Sequence, residues 1–163
     1  MNALFYIAAA VAVLATLMVV TRAHAVHALL YLIVSLLAVA LVFYLLGAPF
    51  AAALEVIVYA GAIMVLFVFV VMMLNLGAHS VQGQRQWLRP AMWIGPSILA
   101  AVLLAELIYV LAGLPATAAA PVTVSPHAVG MALFGPYVLA VELASIMLLA
   151  GLVGAYHLAR PER

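Results

Sequence analysis

Three carboxyl side chains, Glu55, Glu106 and Glu142, stand inside long apolar runs. In an apolar medium an acid either holds its proton or passes it on. Each therefore has two readings. In the structural one it stays protonated and hydrogen-bonds to a nearby hydroxyl or carbonyl, or it snorkels to an interface. In the functional one it titrates as a member of a proton path, facing polar groups or water supplied by other chains. Glu55, Tyr59 and Ile63 follow at i, i+4 and i+8, one face of a helix. Beside Tyr59 comes Ala60-Gly61-Ala62. A glycine inside a helix costs about 1 kcal/mol against alanine. Gly61 either lets two helices approach closely or permits a local π-bulge, a feature frequent at functional sites. Ala140, Ala144, Gly151 and Ala155 form a similar small face further on, consistent with packing.

Other chemistries find little material. His24 and His27 could share a metal, but no third ligand type lies nearby, and interfacial turn residues are the simpler reading. His79, His127 and His157 are scattered, and the eight Met residues read as span filler. No Cys is present, which excludes disulfides, thiolate metal sites, iron–sulfur ligation and a cysteine nucleophile. No Lys is present to complete a phosphate-binding glycine loop.

The elements that must hold these acids are membrane spans. Of 163 residues, 72% are hydrophobic and 6% charged, against roughly 25% charged in a soluble domain. Nine charges cannot clothe a soluble globule of this size. A net charge of +1 offers no basic surface for nucleic acid. The fold class is all-α, a polytopic integral membrane protein with five transmembrane helices in a single membrane domain over residues 1–163. The spans are expected near 3–21, 28–46, 50–76, 91–111 and 136–158. Residues 28–75 would measure about 70 Å as one helix, so the chain must fold back, and Gly47-Ala48-Pro49 is the strong breaker available. Residues 77–90 are the most polar stretch. Residues 113–135 are read as a long, uncharged, Pro-rich outer loop, and Pro136 as the opening of helix five.

Five spans place the termini on opposite sides. Arg22, Arg85, Arg89, Arg160 and Arg163 then all share one side, which the positive-inside rule makes cytoplasmic, with the N-terminus outside. A random distribution would agree this well about one time in 16. Trp87 and Trp93 flank the cytoplasmic start of helix four as interfacial aromatics do. Glu55, Glu106 and Glu142 all fall in the outer half, within about two turns of an outer helix end. They have no basic partner in their own chain. A small bundle with three unsupported acids is best explained as part of a larger assembly.

At helix three the run Glu55-Val-Ile-Val-Tyr59-Ala60-Gly61-Ala62-Ile63-Met64-Val65-Leu66-Phe67-Val68-Phe69-Val70-Val71-Met72-Met73-Leu74-Asn75 closely resembles the signature of the subunit J family of NADH-quinone oxidoreductase, the bacterial counterpart of subunit 6 of mitochondrial complex I. Further stretches agree in order: His27 to Tyr31, Ser35 to Ala38, Arg85 to Leu88, Trp93 to Pro96, and Phe134 through Glu142 and Ser145 to Gly151. The resemblance implies a membrane-arm subunit of an enzyme that couples NADH oxidation by quinone to proton export. It implies no redox group in this chain: FMN, iron–sulfur clusters, NADH and quinone belong to other subunits. It implies a position between the quinone region and the antiporter-like subunits, in a bacterial inner membrane. The expected partners are other membrane-arm subunits and the lipid bilayer, with no nucleic acid and no independent small-molecule substrate.

The resemblance also implies a π-bulge around residues 59–65, in a helix that wets or dries a polar path. Glu55 and Tyr59 would be polar members beside that path. Gly61 would let the helix change register, and Val65 and Phe67 would form the apolar gate. Glu142 matches the family's helix-five pattern without a defined role, and Glu106 matches no family motif. Two other readings stay open: a structural scaffold of the same complex with inert acids, and a small stand-alone transporter using Glu55 and Glu142. An odd span count and no visible inverted repeat count against the transporter.

Overall fold

The computed structural model describes residues 3–74, 90–113 and 123–160. They group into two compact units, Met1–Thr123 and Val124–Arg163. The first unit holds α1 (Ala3–Thr21), α2 (Ala25–Leu45), α3 (Pro49–Leu54), a π-helical segment (Glu55–Ile63), α4 (Met64–Leu74) and α5 (Pro90–Leu111). The second holds α6 (Pro126–Leu133) and α7 (Val138–Ala159). No strand occurs among the described residues. Five helical stretches there are long and apolar enough to cross a membrane: Ala3–Thr21, Ala25–Leu45, Pro49–Met73, Trp93–Leu111 and Val138–Ala159.

Small residues make the first unit's core. Ala8 and Ala15 of α1 and Ala38 of α2 have no exposed surface, and Val11, Val34, Leu41 and Leu103 close around them. Alanines at i and i+7 keep one side of α1 thin, so α2 can approach closely. Polar groups add to this seam. The hydroxyls of Thr16 and Ser35 lie 2.7 Å apart. Ser35 also donates to the Ala12 carbonyl at 3.2 Å. Buried hydroxyls with partners are tolerable in an apolar interior, where unpaired ones are costly.

Several expected boundaries move. Helix two begins at Ala25, not near 28, so His27 lies in its first turn and is buried. Ala25 and Val26 are apolar and nothing there breaks a helix. After α2, Gly47 takes the left-handed φ of 84° that a side chain would resist, and Pro49 opens α3. The expected loop over 113–135 is part helix: α6 opens with Ser125 as N-cap, its Oγ accepting from the Ala128 N–H at 3.2 Å, and Pro126 in the first turn. Pro136 does not open helix five. It lies in a turn, and Tyr137 precedes the first residue of α7. The polar stretch with His79, Arg85, Trp87 and Arg89, and the chain beyond 160, lie outside the described residues.

One close approach sets the seat of α5. A Cβ on Gly95 would collide with the Tyr31 hydroxyl and come within 3.1 Å of Tyr31 Cζ. Tyr31 is only 5% exposed and has little room to yield. Gly95→Ala is therefore expected to destabilise the helix packing by about 1–3 kcal/mol. The thermal unfolding midpoint of the purified protein assembly should fall, and Tyr31→Phe in the same chain should restore part of the loss. An unchanged midpoint in Gly95→Ala would contradict this seat.

Candidate functional site

The third span is continuous but not uniform. Glu55 still bonds back to Ala51 and Ala52 in the manner of an α-helix. Met64, nine residues on, bonds its N–H to the Tyr59 carbonyl, a five-residue step. Between them Glu55–Ile63 forms a nine-residue π-helix. The flanking residues keep ordinary helical dihedrals, φ −64° and ψ −39° at Leu54, φ −67° and ψ −36° at Met64. The i→i+5 ladder is thus inserted without a break in the span. The stretch starts four residues before Tyr59 and stops short of Val65, earlier and longer than a bulge around 59–65.

Gly61 shows why this backbone is tolerated here. A Cβ at that position would sit 3.1 Å from the Val56 carbonyl oxygen, the acceptor five residues back. A side chain would press on the wide turn itself, and glycine removes that pressure. The segment packs against α2. Val56 also borders an apolar cavity of about 420 Å³, which Val34, Leu41 and Tyr44 of α2 and Leu103 of α5 share. Val56 is the residue of the segment that faces this open space.

The residues singled out from sequence divide into three groups. Glu55, Tyr59 and Gly61 lie in the π segment, with Glu55 half-buried and Tyr59 50% exposed. Among the described residues neither the Glu55 carboxyl nor the Tyr59 hydroxyl has a hydrogen-bond partner. Val65 and Phe67 lie in the following α4, both about half exposed, while Met64 between them and the π segment is buried. Glu142 belongs to the other unit, on α7, where its backbone carbonyl accepts from Ser145 Oγ at 2.8 Å. The first two groups are consecutive along one span, and Glu142 is not brought to them within a unit.

Glu106 departs from both halves of its structural reading. It does not reach the surface, and among the described residues it finds no hydrogen bond. It is 5% exposed, and both carboxyl oxygens lack a partner among the described residues. The reason is its place on α5: the face carrying Leu99, Val102 and Leu103 packs into the core of α1 and α2, and Glu106 continues that face. His24 and His27 do come together, ring centroids 5.9 Å apart. No cluster of three metal-ligating side chains occurs among the described residues.

The sequence pattern described as NADH-ubiquinone/plastoquinone oxidoreductase chain 6 matches residues 15–158. A Pseudomonas aeruginosa protein named NADH-quinone oxidoreductase subunit J is 63% identical over 159 residues, 97% of this chain and 96% of its own. The protein of the same name from Escherichia coli strain K12 is 60% identical over 159 residues, 98% of this chain and 86% of its own. The protein of the same name from Buchnera aphidicola subsp. Schizaphis graminum is 44% identical over the full length of both chains.

Proposed function

This chain belongs to the chain 6 family of NADH-ubiquinone/plastoquinone oxidoreductases, and from that premise we propose that its π segment switches a polar path for protons beside the quinone region of the complex. The chain is a multi-pass membrane-arm subunit of complex I, and the other subunits of that complex are its partners. Having no Cys, it supplies no thiolate for an iron–sulfur cluster. FMN, the clusters, NADH and quinone are assigned to other subunits, and no active site is assigned to this one. Both units are taken to form one membrane domain in the bacterial inner membrane, with every Arg on the cytoplasmic side and the N-terminus outside.

The observation that carries the switch is the i→i+5 ladder over Glu55–Ile63, ending where Met64 bonds to Tyr59. Returning one turn to i→i+4 removes about one residue from it. The span beyond would rotate by roughly 100° against the span before. Such a rotation exchanges Tyr59 for apolar neighbours along a path, and carries Val65 and Phe67 with it. The two ladders differ by discrete hydrogen bonds, so the element has two states and no continuum between them. In one the path is wet past Glu55 and Tyr59, and in the other Val65 and Phe67 close it. Glu142 is proposed as a further polar member, contributed by α7.

Glu55→Gln tests the carboxyl. The amide keeps the shape and removes the exchangeable acid proton. Reconstituted into vesicles, the Glu55→Gln complex is expected to translocate protons several-fold more slowly at normal assembly, a smaller loss than the roughly 10²–10⁴-fold typical of removing a general acid or base. Normal pumping rate and stoichiometry together would remove Glu55 from the path. In mild detergent the wild-type chain should migrate with a large complex bearing NADH dehydrogenase activity, and migration alone would sink the reading as a subunit.

A further inference from the structure

The turn joining α1 to α2 gathers positive charge that no acid among the described residues balances. Arg22 follows α1, and the first acid in the sequence is Glu55, beyond α2 and α3. The guanidinium is held in place. Its Nη2 meets Met18 Sδ at 3.3 Å, and its Cζ stands 5.4 Å from the centre of the Tyr31 ring. Tyr31 is itself fixed by burial against Gly95. A cation seated on a ring is aimed, while its remaining N–H groups stay available to an anion.

The start of α2 faces the same turn. His24 is the N-cap, with extended backbone (φ −100°, ψ 118°), and gives no side-chain acceptor to the first N–H groups of the helix. The N-terminal end of a 21-residue helix therefore adds its partial positive charge without a cap. His27, three residues in, is 5% exposed, its ring edge-on to His24 at 69°. Its ring nitrogens have no hydrogen-bond partner among the described residues. A buried imidazole without a partner, an aimed guanidinium and an uncapped helix start converge on one small region.

We propose that Arg22, His24, His27 and the N-terminus of α2 form a binding site for the phosphate of an anionic phospholipid. Phosphate chemistry fits the donor set: an Arg fork, imidazole N–H groups and backbone N–H groups are all donors, with no carboxylate among them. The lipid source follows from position. Both α1 and α2 are long enough to span a membrane, so the turn between them lies at the headgroup level. Leu17, Val20 and Val26 beside the turn expose apolar surface along which acyl chains can lie. Free phosphate would use the donors and leave that surface bare.

The test uses the purified, delipidated complex, titrated with phosphatidylglycerol, phosphatidylcholine or inorganic phosphate and read by native mass spectrometry. The wild-type complex should take up phosphatidylglycerol in preference to phosphatidylcholine. Arg22→Gln should weaken that uptake about fivefold, the worth of one Arg near an anionic surface, and Arg22→Lys should restore part of it. Inorganic phosphate at millimolar concentration should not displace the lipid. If Arg22→Gln fails to assemble, His24→Ala, at an exposed position, carries the same expectation with a smaller loss. Unchanged uptake in every variant that assembles overturns the site. Equal uptake of phosphatidylcholine overturns the anionic requirement, and displacement of the lipid by free phosphate overturns the lipid assignment.

Discussion

Gly61→Leu is expected to slow NADH:quinone turnover and proton translocation by about tenfold in a fully assembled complex. One contact sets the size of the effect. A Cβ at residue 61 would lie 3.1 Å from the Val56 carbonyl, tighter than most such contacts, so that the neighbour, which is backbone, must give by a few tenths of an ångström. Relief comes from narrowing the turn toward i→i+4 or from distorting it. Either change biases one register of a two-state element. A bias of about 1.4 kcal/mol alters the ratio of the two states tenfold. Gly61→Ala adds the same Cβ with no further bulk, so its effect should be smaller, a few-fold. The measurement is NADH-driven quinone reduction and acidification in reconstituted vesicles, at matched assembly. Unchanged rates in an assembled Gly61→Leu complex would favour the scaffold reading.

Glu106→Leu is expected to act in the opposite sense, on stability and not on turnover. The wild-type carboxyl is buried on α5 with both oxygens unpartnered among the described residues. An unsatisfied buried polar group costs about 1–3 kcal/mol, and an ionisable one inside a membrane about 2.5–3.5 kcal/mol on insertion scales. Leucine removes that cost at similar volume. The fourth span should insert into membranes more readily by about 2 kcal/mol in a glycosylation-mapping assay. NADH:quinone turnover of the assembled complex should stay within about twofold of the wild type, since no step of the proposed switch uses this residue. A large loss of turnover with normal assembly would make Glu106 part of the proton path and overturn its assignment to stability alone.

The spans were legible because their signal is long and redundant. Runs such as 3–21 carry no charge at all, and only a helix satisfies the backbone of such a run in lipid. The first turn of α2 and the helix α6 were not read, for different reasons. Ser125-Pro126 carries a cap-and-first-turn signature, and it was hidden by three prolines that suggested a loop. His24 to His27 looked like a polar turn because of its side chains, whereas the backbone there is helical from Ala25.

The site was half legible. Glu55, Tyr59 and Gly61 stood out because a span otherwise has no use for them. Their backbone could not be read, because the choice between four- and five-residue hydrogen bonds changes neither hydrophobicity nor spacing. Gly61 hints at freedom, and the resemblance pointed to residues 59–65, but the structure puts the wide ladder over Glu55–Ile63. Glu106 failed for a related reason. Helices that are apolar all round show no stripe to mark the inward face. Only the packing of α5 on α1 and α2 decides that residue 106 faces in.

The most direct test of the switch is the hydrogen-bond pattern of the third span in the assembled complex, resolved at rest and during turnover. The expected result is two populations. In one the Met64 N–H bonds to Tyr59, as it does here; in the other it bonds to Ala60, and Val65 and Phe67 are rotated by roughly 100°. A single pattern, with Met64 on Tyr59 in every state of the working enzyme, would contradict it.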